Sequence, residues 1–211
     1  MAPKRATSLI FSFLLLLFWA AVALQAGRPG VKPGFKLGGG LANNFGQDTY
    51  EQKWQGTLAG GLFVDLRLNK RLGAEVEVLF FRKGSVYRLN LDGSEYREKY
   101  ILDYLEIPVF VKFFVLEKDR YNFYLYAGPS IGFNLGARLK VTFDGLEESV
   151  SVDNLKGADL LLNGGAGVEY KLKDSSLILE LRYNQGLKSI STETEEDFRN
   201  KALVILVGYR F

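Results

Sequence analysis

The chain has 211 residues, enough for one domain with a targeting segment, and its charges nearly balance, with 27 Lys and Arg against 24 Asp and Glu. It contains no Cys and no His, which excludes disulfides, thiolate metal sites, cysteine nucleophiles and the commonest general base. No basic block points to nucleic acid, whereas 16 Phe, 11 Tyr and 23 Gly with only 5 Pro favour strands, tight turns and aromatic interfaces.

Residues 1–26 read as a cleaved secretory signal peptide. Lys4 and Arg5 open it, an apolar run from Leu9 to Leu24 is broken only by Ser12, and Ala21-Val-Ala23 or Leu24-Gln-Ala26 supplies small residues for cleavage. Its removal leaves 25 bases against 24 acids in residues 27–211, taken as a single folded domain. No later stretch reaches the ~18 unbroken apolar residues of a membrane helix.

Eight strands with period-two alternation are predicted at 33–42, 56–68, 73–91, 94–115, 121–143, 147–172, 176–187 and 201–211. Short charged joins, Asn69–Leu72, Leu116–Arg120 and Lys173–Ser175, alternate with longer polar joins at 43–55 and 188–200. Asp92-Gly93 and Asp144-Gly145 are two-residue hairpin signals, because Asp and Gly accept the positive φ of a type I′ turn. The four middle strands therefore run well past the ~9–11 residues that cross a bilayer. A turn at 92–93 makes opposed positions sum to 185, so Phe80 meets Leu105, Val78 meets Ile107 and Val76 meets Val109 on one face. Leu79 then meets Glu106, and Glu75 meets Phe110, on the other.

The two faces differ sharply. One is apolar throughout, as in Leu62, Val64 and Leu66 or Leu177, Leu179 and Leu181. The other collects Lys36, Asp65, Arg67, Glu75, Glu77, Glu106, Lys112, Glu169, Lys171, Glu180, Arg182 and Arg210, six bases and six acids. A soluble barrel has the inverse arrangement. A membrane barrel with an ion-paired lumen satisfies both faces and leaves no sheet edge, while a two-sheet sandwich would bury the apolar faces and solvate the charges. Two aromatic bands are expected at the membrane interfaces. Tyr50, Trp54, Tyr87, Tyr96, Tyr100 and Tyr104 lie towards the long joins, and Phe113, Tyr121, Phe123, Tyr170, Tyr209 and Phe211 towards the short turns.

Several segments together resemble a known family: Tyr104–Phe113, Tyr124–Phe133, Gly165–Tyr170, Leu179–Asn184 and Val207–Phe211. They look like the outer-membrane β-barrel domain family widespread in Bacteroidota, a porin-type family that includes the PorT-type proteins. The likeness covers about residues 33–211 and implies an eight-stranded antiparallel up-and-down barrel, similar in build to OmpX and the OmpA membrane domain. It implies the outer membrane of a Gram-negative envelope as the location, lipid as surroundings, and no catalytic residue. A chain ending on Tyr209 and Phe211 resembles the closing strand of such barrels, and this pair is its expected assembly signal for the barrel-assembly machinery.

The remaining constellations have bland readings beside their functional ones. Gly128, Gly132 and Gly136 fit a strand whose glycines face the lumen and leave room for Tyr124, Tyr126, Phe63, Phe81 and Phe110, better than a helix-pairing motif. Gly38–Gly40 and Gly164–Gly167 open no helix and precede no Lys-Ser/Thr, so they are not phosphate loops. Glu75 with Glu77 fits a structural ion network better than acid–base chemistry, and Glu193, Glu195, Glu196 and Asp197 fit a solvated loop better than a cation site. The expectation is a monomeric structural or interaction protein without catalysis, cofactor or metal, whose protruding hairpins, 84–103 and 138–157, bind an envelope or surface protein. The alternatives are a PorT-type assembly or secretion factor, a narrow pore, a lumenal small-ligand binder and a lipid-modifying enzyme.

Overall fold

The computed structural model describes residues 30–46, 52–91, 94–153, 155–193 and 197–211. The expected signal peptide, Tyr50, the expected Asp92-Gly93 turn, Glu195 and Glu196 lie outside the described residues. Among the described residues there are ten strands: β1 (Val31–Phe45), β2 (Gln55–Arg67), β3 (Leu72–Lys83), β4 (Val86–Leu91), β5 (Ser94–Glu117), β6 (Tyr121–Phe143), β7 (Leu146–Ser151), β8 (Ala158–Lys171), β9 (Ser176–Gly186) and β10 (Arg199–Arg210).

All pairings are antiparallel. The ladder runs β4-β5-β3-β2-β1-β10-β9-β8-β6-β7, and a further β5–β6 pairing closes it. Eight strands (β1, β2, β3, β5, β6, β8, β9, β10) therefore form a closed barrel, while β4 and β7 belong to extensions above it. The predicted strands 73–91 and 147–172 are each interrupted. The first breaks at Gly84-Ser85, where Gly84 has φ +131° and a Cβ would lie 2.0 Å from the Tyr100 carbonyl oxygen. Glycine alone fits there. The second breaks between Ser151 and Ala158, where the chain leaves β6 and returns one level lower.

The sum-of-185 register holds from Leu91↔Ser94 through Lys83↔Leu102 to Leu72↔Phe113, across the break in the partner strand. Two ladder positions are skipped between Val76↔Val109 and Leu79↔Glu106, beside Pro108, which has no N–H to donate. The second hairpin forms as expected, with positive φ at Asp144 (48°) and Gly145 (81°) and Phe143 opposite Leu146.

Side chains follow the inside-out pattern. Leu177, Leu179 and Leu181 point outward and are exposed, while Ile178, Glu180 and Arg182 point inward and are buried. Leu203, Ile205 and Val207 do the same on β10, with Val204 and Leu206 inside. A wall exposing this much Leu, Ile and Val is stable only against hydrocarbon.

The space for the lumenal tyrosines comes from β8, not from the β6 glycines. A Cβ at Gly167 would lie 2.3 Å from the Tyr124 ring, and one at Gly165 would lie 2.7 Å from Tyr126. On β6 itself Gly132 faces the lumen, but Gly136 does not. The register slips between Tyr104↔Asn134 and Asp103↔Gly136, so Leu135 is an extra residue, Gly136 is exposed and Ala137 is buried. That bulge reverses the facing of everything that follows on β6.

Candidate functional site

Two regions gather polar chemistry: the lumen and the wall that β4–β7 raise above it. In the lumen, β1, β3 and β9 each send charges to one point because alternation leaves every second residue pointing inward. Lys36 Nζ lies 2.6 Å from Glu75, 2.7 Å from Glu77 and 2.8 Å from Glu180. Arg182 grips Glu77 with two parallel bonds of 2.6 and 2.8 Å and reaches Glu180 at 3.0 Å. The Tyr124 hydroxyl donates to Glu180 at 2.7 Å. Lys112 bridges Asp65 and Glu75, both at 2.9 Å, and Arg210 joins Asp65 to Glu169. Rings close over these cations, Phe63 at 4.6 Å from Lys36 and Phe110 at 4.7 Å from Arg182.

Nine of the twelve charges expected in the lumen thus meet in one cluster: Lys36, Lys112, Arg182 and Arg210 with Asp65, Glu75, Glu77, Glu169 and Glu180. Arg67 and Lys171 stand instead at the turn-end mouth, partly exposed, where both pair with Glu117. They are the last inward residues of their strands, so water reaches them. Glu106 belongs to a second, separate group. It pairs with Lys83 at 2.8 Å and accepts from Ser130 (2.8 Å) and Asn184 (2.7 Å). Asn163 donates to Ser130, and Asn200 links Asp159, Tyr104 and Asn44. Lys83 and Asp159 are both buried lumenal charges that the sequence reading missed. Lys83 was findable, since it continues the odd-numbered inward series Glu75, Glu77, Leu79, Phe81. Asp159 was findable in the same way, since it continues the odd-numbered inward series of Glu169, Asn163 and Leu161.

Above the second group sits an apolar lid of Leu102, Tyr104, Ala137 and Ile190, with Val152, Leu155 and Phe198 packed against it. Tyr104 is therefore a lumenal core residue, not part of an interface band, because its even position on β5 faces inward. The turn-end aromatic band forms as expected: Tyr121 packs on Tyr170 at 5.1 Å, and Tyr209 packs on Phe211 at 5.2 Å and on Phe35 at 6.1 Å. Of the described residues of the opposite band, only Trp54 takes an outward, exposed place.

Glu75, Glu77 and Glu180 bring carboxylate oxygens within 4.8 Å of one another, which suits a divalent cation. The fit fails for a simple reason: the Lys36 ammonium already occupies the centre of the three. The same burial seals these carboxylates from solvent.

The wall is a four-stranded sheet, β4-β5-β6-β7, standing on one side of the mouth. Its inner face, continuous with the lumen, carries cross-strand rows of Leu89, Tyr96, Phe143 and Leu146, then Tyr87, Glu98, Val141 and Glu148, then Tyr100, Leu139 and Val150. Tyr100 packs on Phe198 at the base, 5.8 Å between rings. Away from Phe198 the face is open, with Leu146 at 76% and Val150 at 57% exposure. Tyr96 donates to Glu98, and that bond pushes the phenol up to about 12. On the outer face, the Lys140 hydrogen bond and charge hold Glu147 below the usual carboxylate range.

A family profile described as "Outer membrane protein beta-barrel domain" matches residues 28–192. No curated protein is significantly similar in sequence. Among solved structures, the chain is similar to the attachment invasion locus protein Ail of Yersinia pestis (15% identity, TM-score 0.42, covering 86% of this chain and 99% of that one). It is also similar to Neisserial surface protein A (14%, TM-score 0.46, 86% and 99%) and to OprG of Pseudomonas aeruginosa (13%, TM-score 0.44, 86% and 94%).

Proposed function

Because this chain belongs to the outer membrane protein β-barrel domain family and its place is the outer membrane, we propose that it is a non-enzymatic interaction protein. The barrel is a membrane anchor, and the wall is its working surface. The observation that carries this reading is the open apolar inner face of the wall, from Leu89 and Tyr96 across to Phe143, Leu146 and Val150. Contiguous apolar surface that water wets marks a binding site. Lipid does not cover it, since this face continues the lumen rather than the barrel exterior.

The wall also offers strand pairing. β4 and β7 end the ladder, and all six residues of β7 are exposed. An extended segment of an envelope or surface protein fits there by adding a fifth strand and laying alternate apolar side chains on the inner face. Short turns face the periplasm and the wall faces outward, the usual arrangement of such barrels. Tyr209 and Phe211 serve assembly through the barrel-assembly machinery. The packed ion pairs of the lumen favour an anchor over a pore or ligand carrier. A PorT-type export role in a Bacteroidota envelope is the more specific form of the same reading. Its mark is loss of surface protein export in a deletion strain.

The test is photo-cross-linking in native envelopes from Leu146 and Val150 on the inner face, with Ser149 on the outer face as control. One discrete protein adduct from the inner positions, absent at Ser149, is the expected result. No adduct from a correctly folded barrel overturns the reading, and sustained current across a planar bilayer overturns its non-pore part.

A further inference from the structure

We propose that the outer face of the β4–β7 wall binds phosphate-bearing headgroups of the leaflet from which it rises. This inference uses the opposite face from the partner site proposed above and stands whether or not that partner exists.

Arg82, Arg88, Arg97, Lys99, Arg138 and Lys140 share the outer face, against three acids, Asp103, Glu95 and Glu147. Each of the first two acids is shared by two arginines: Asp103 by Arg82 (2.7 Å) and Arg138 (3.4 Å), Glu95 by Arg97 (3.2 Å) and Arg88 (4.0 Å). Three positive charges remain. The inner-face rows hold two acids, Glu98 and Glu148, and no base. A wall kept soluble by its charges has no reason to sort them this way, because a mixed surface serves solubility better.

What the cations face is set by continuity. The outer face is the upward extension of the lipid-facing surface, whose last exposed large apolar group on β6 is Phe133, in one row with Leu105 and Phe80; above that row the outward Ile101 and Val86 are buried. Arg82 follows Phe80 by two residues, and its guanidinium lies 5.8 Å from that ring. Arg138 stands five residues above Phe133, roughly 12 Å higher for a tilted strand, with Lys140 and Arg97 above it. The strip starts in the headgroup layer and climbs beyond a phosphoglycerol, which suits a phosphorylated saccharide headgroup. Arg138 and Lys140 reach this face only through the bulge at Leu135; in unbroken alternation they would point over the lumen. Arginine forks and lysine ammonium groups are suited to phosphate.

The experiment uses the full-length barrel in detergent with a purified phosphorylated lipoglycan, lipid A with its inner-core sugars. A neutral glycolipid serves as control, and bound lipid is counted by native mass spectrometry. The unaltered protein should retain the lipoglycan and not the neutral lipid. R97Q/K99Q/R138Q/K140Q should lower retention at least tenfold, given a factor of about five per cation at an anionic surface. E98Q/E148Q on the inner face should leave retention unchanged. Heat-modifiable gel migration checks that each variant is folded. Equal retention by the quadruple variant, equal retention of the neutral glycolipid, or full displacement by millimolar inorganic phosphate overturns the proposal.

Discussion

The same two strands build two walls of opposite polarity. Below Asp103, β5 turns Val109, Val111, Phe113 and Val115 outward and Glu106, Phe110 and Lys112 inward; above it, β5 turns Glu95, Arg97 and Lys99 outward and Tyr96 and Tyr100 inward. On β6 the change needs a bulge: Leu125, Ile131 and Phe133 point out below Leu135, and Arg138 and Lys140 point out above it. The difference shows what each wall meets. In the barrel, charge is stable only where other charges enclose it. In the extension, charge is stable in the open, and the apolar side faces water.

That contrast is most exposed to failure at Lys36. Lys36→Met leaves three carboxylates around an apolar tail, and removing one member of a buried ion cluster costs about 3–5 kcal/mol. Urea titration of gel mobility should show that loss, whereas Lys140→Met, partly exposed in its pair with Glu147, should cost ~0–1 kcal/mol. Equal costs would mean that the lumenal cluster is not sealed from water.

A slightly smaller effect separates the two apolar surfaces. Leu181→Arg places a charge near mid-belt and should cost about 2–4 kcal/mol, with poorer insertion into bilayers. Val150→Arg on the inner face of the wall should leave unfolding within ~0.5 kcal/mol and act only on partner cross-linking. Glycine in the barrel gives the third test. Gly167→Ala drives a methyl into the Tyr124 ring at 2.3 Å and should cost about 1–3 kcal/mol, while the same change at Gly145 meets open space and acts only on the hairpin turn. A Gly167 variant of unaltered stability would show that Tyr124 is free to move.

The smallest global effect, and the sharpest, belongs to the bulge. Deleting Leu135 should leave barrel unfolding within ~1 kcal/mol, yet turn Arg138 and Lys140 inward. A single cysteine at 140 should then lose its labelling by headgroup-directed reagents while one at 141 gains it. If neither changes, the register above Gly136 is fixed by the 144–145 turn instead.

Much of the barrel was legible because lipid imposes a rule on every second residue. Alternation from Glu180 and Arg182 puts Asn184 inward, and it is fully buried, but only the fold shows it held between Glu106 and Asn163. The 185 register followed from one turn, since a two-residue hairpin leaves no freedom in what faces what. The lumenal charges were recognisable as a set; their division into a sealed cluster, a second group at Glu106 and a mouth pair at Arg67 and Lys171 was not.

By itself the sequence determined the barrel, its faces and its closing strand, because these depend on local alternation and turn chemistry. Tertiary structure alone decided the breaks after Lys83 and Ser151, the bulge at Leu135 and the partners of each charge. Those depend on distances between strands far apart in the chain, such as the 2.8 Å from Lys36 to Glu180, which no pattern within one strand contains. One inserted residue, invisible as a change in composition, reverses which way the upper part of β6 faces, and with it β6's share of the wall's polarity.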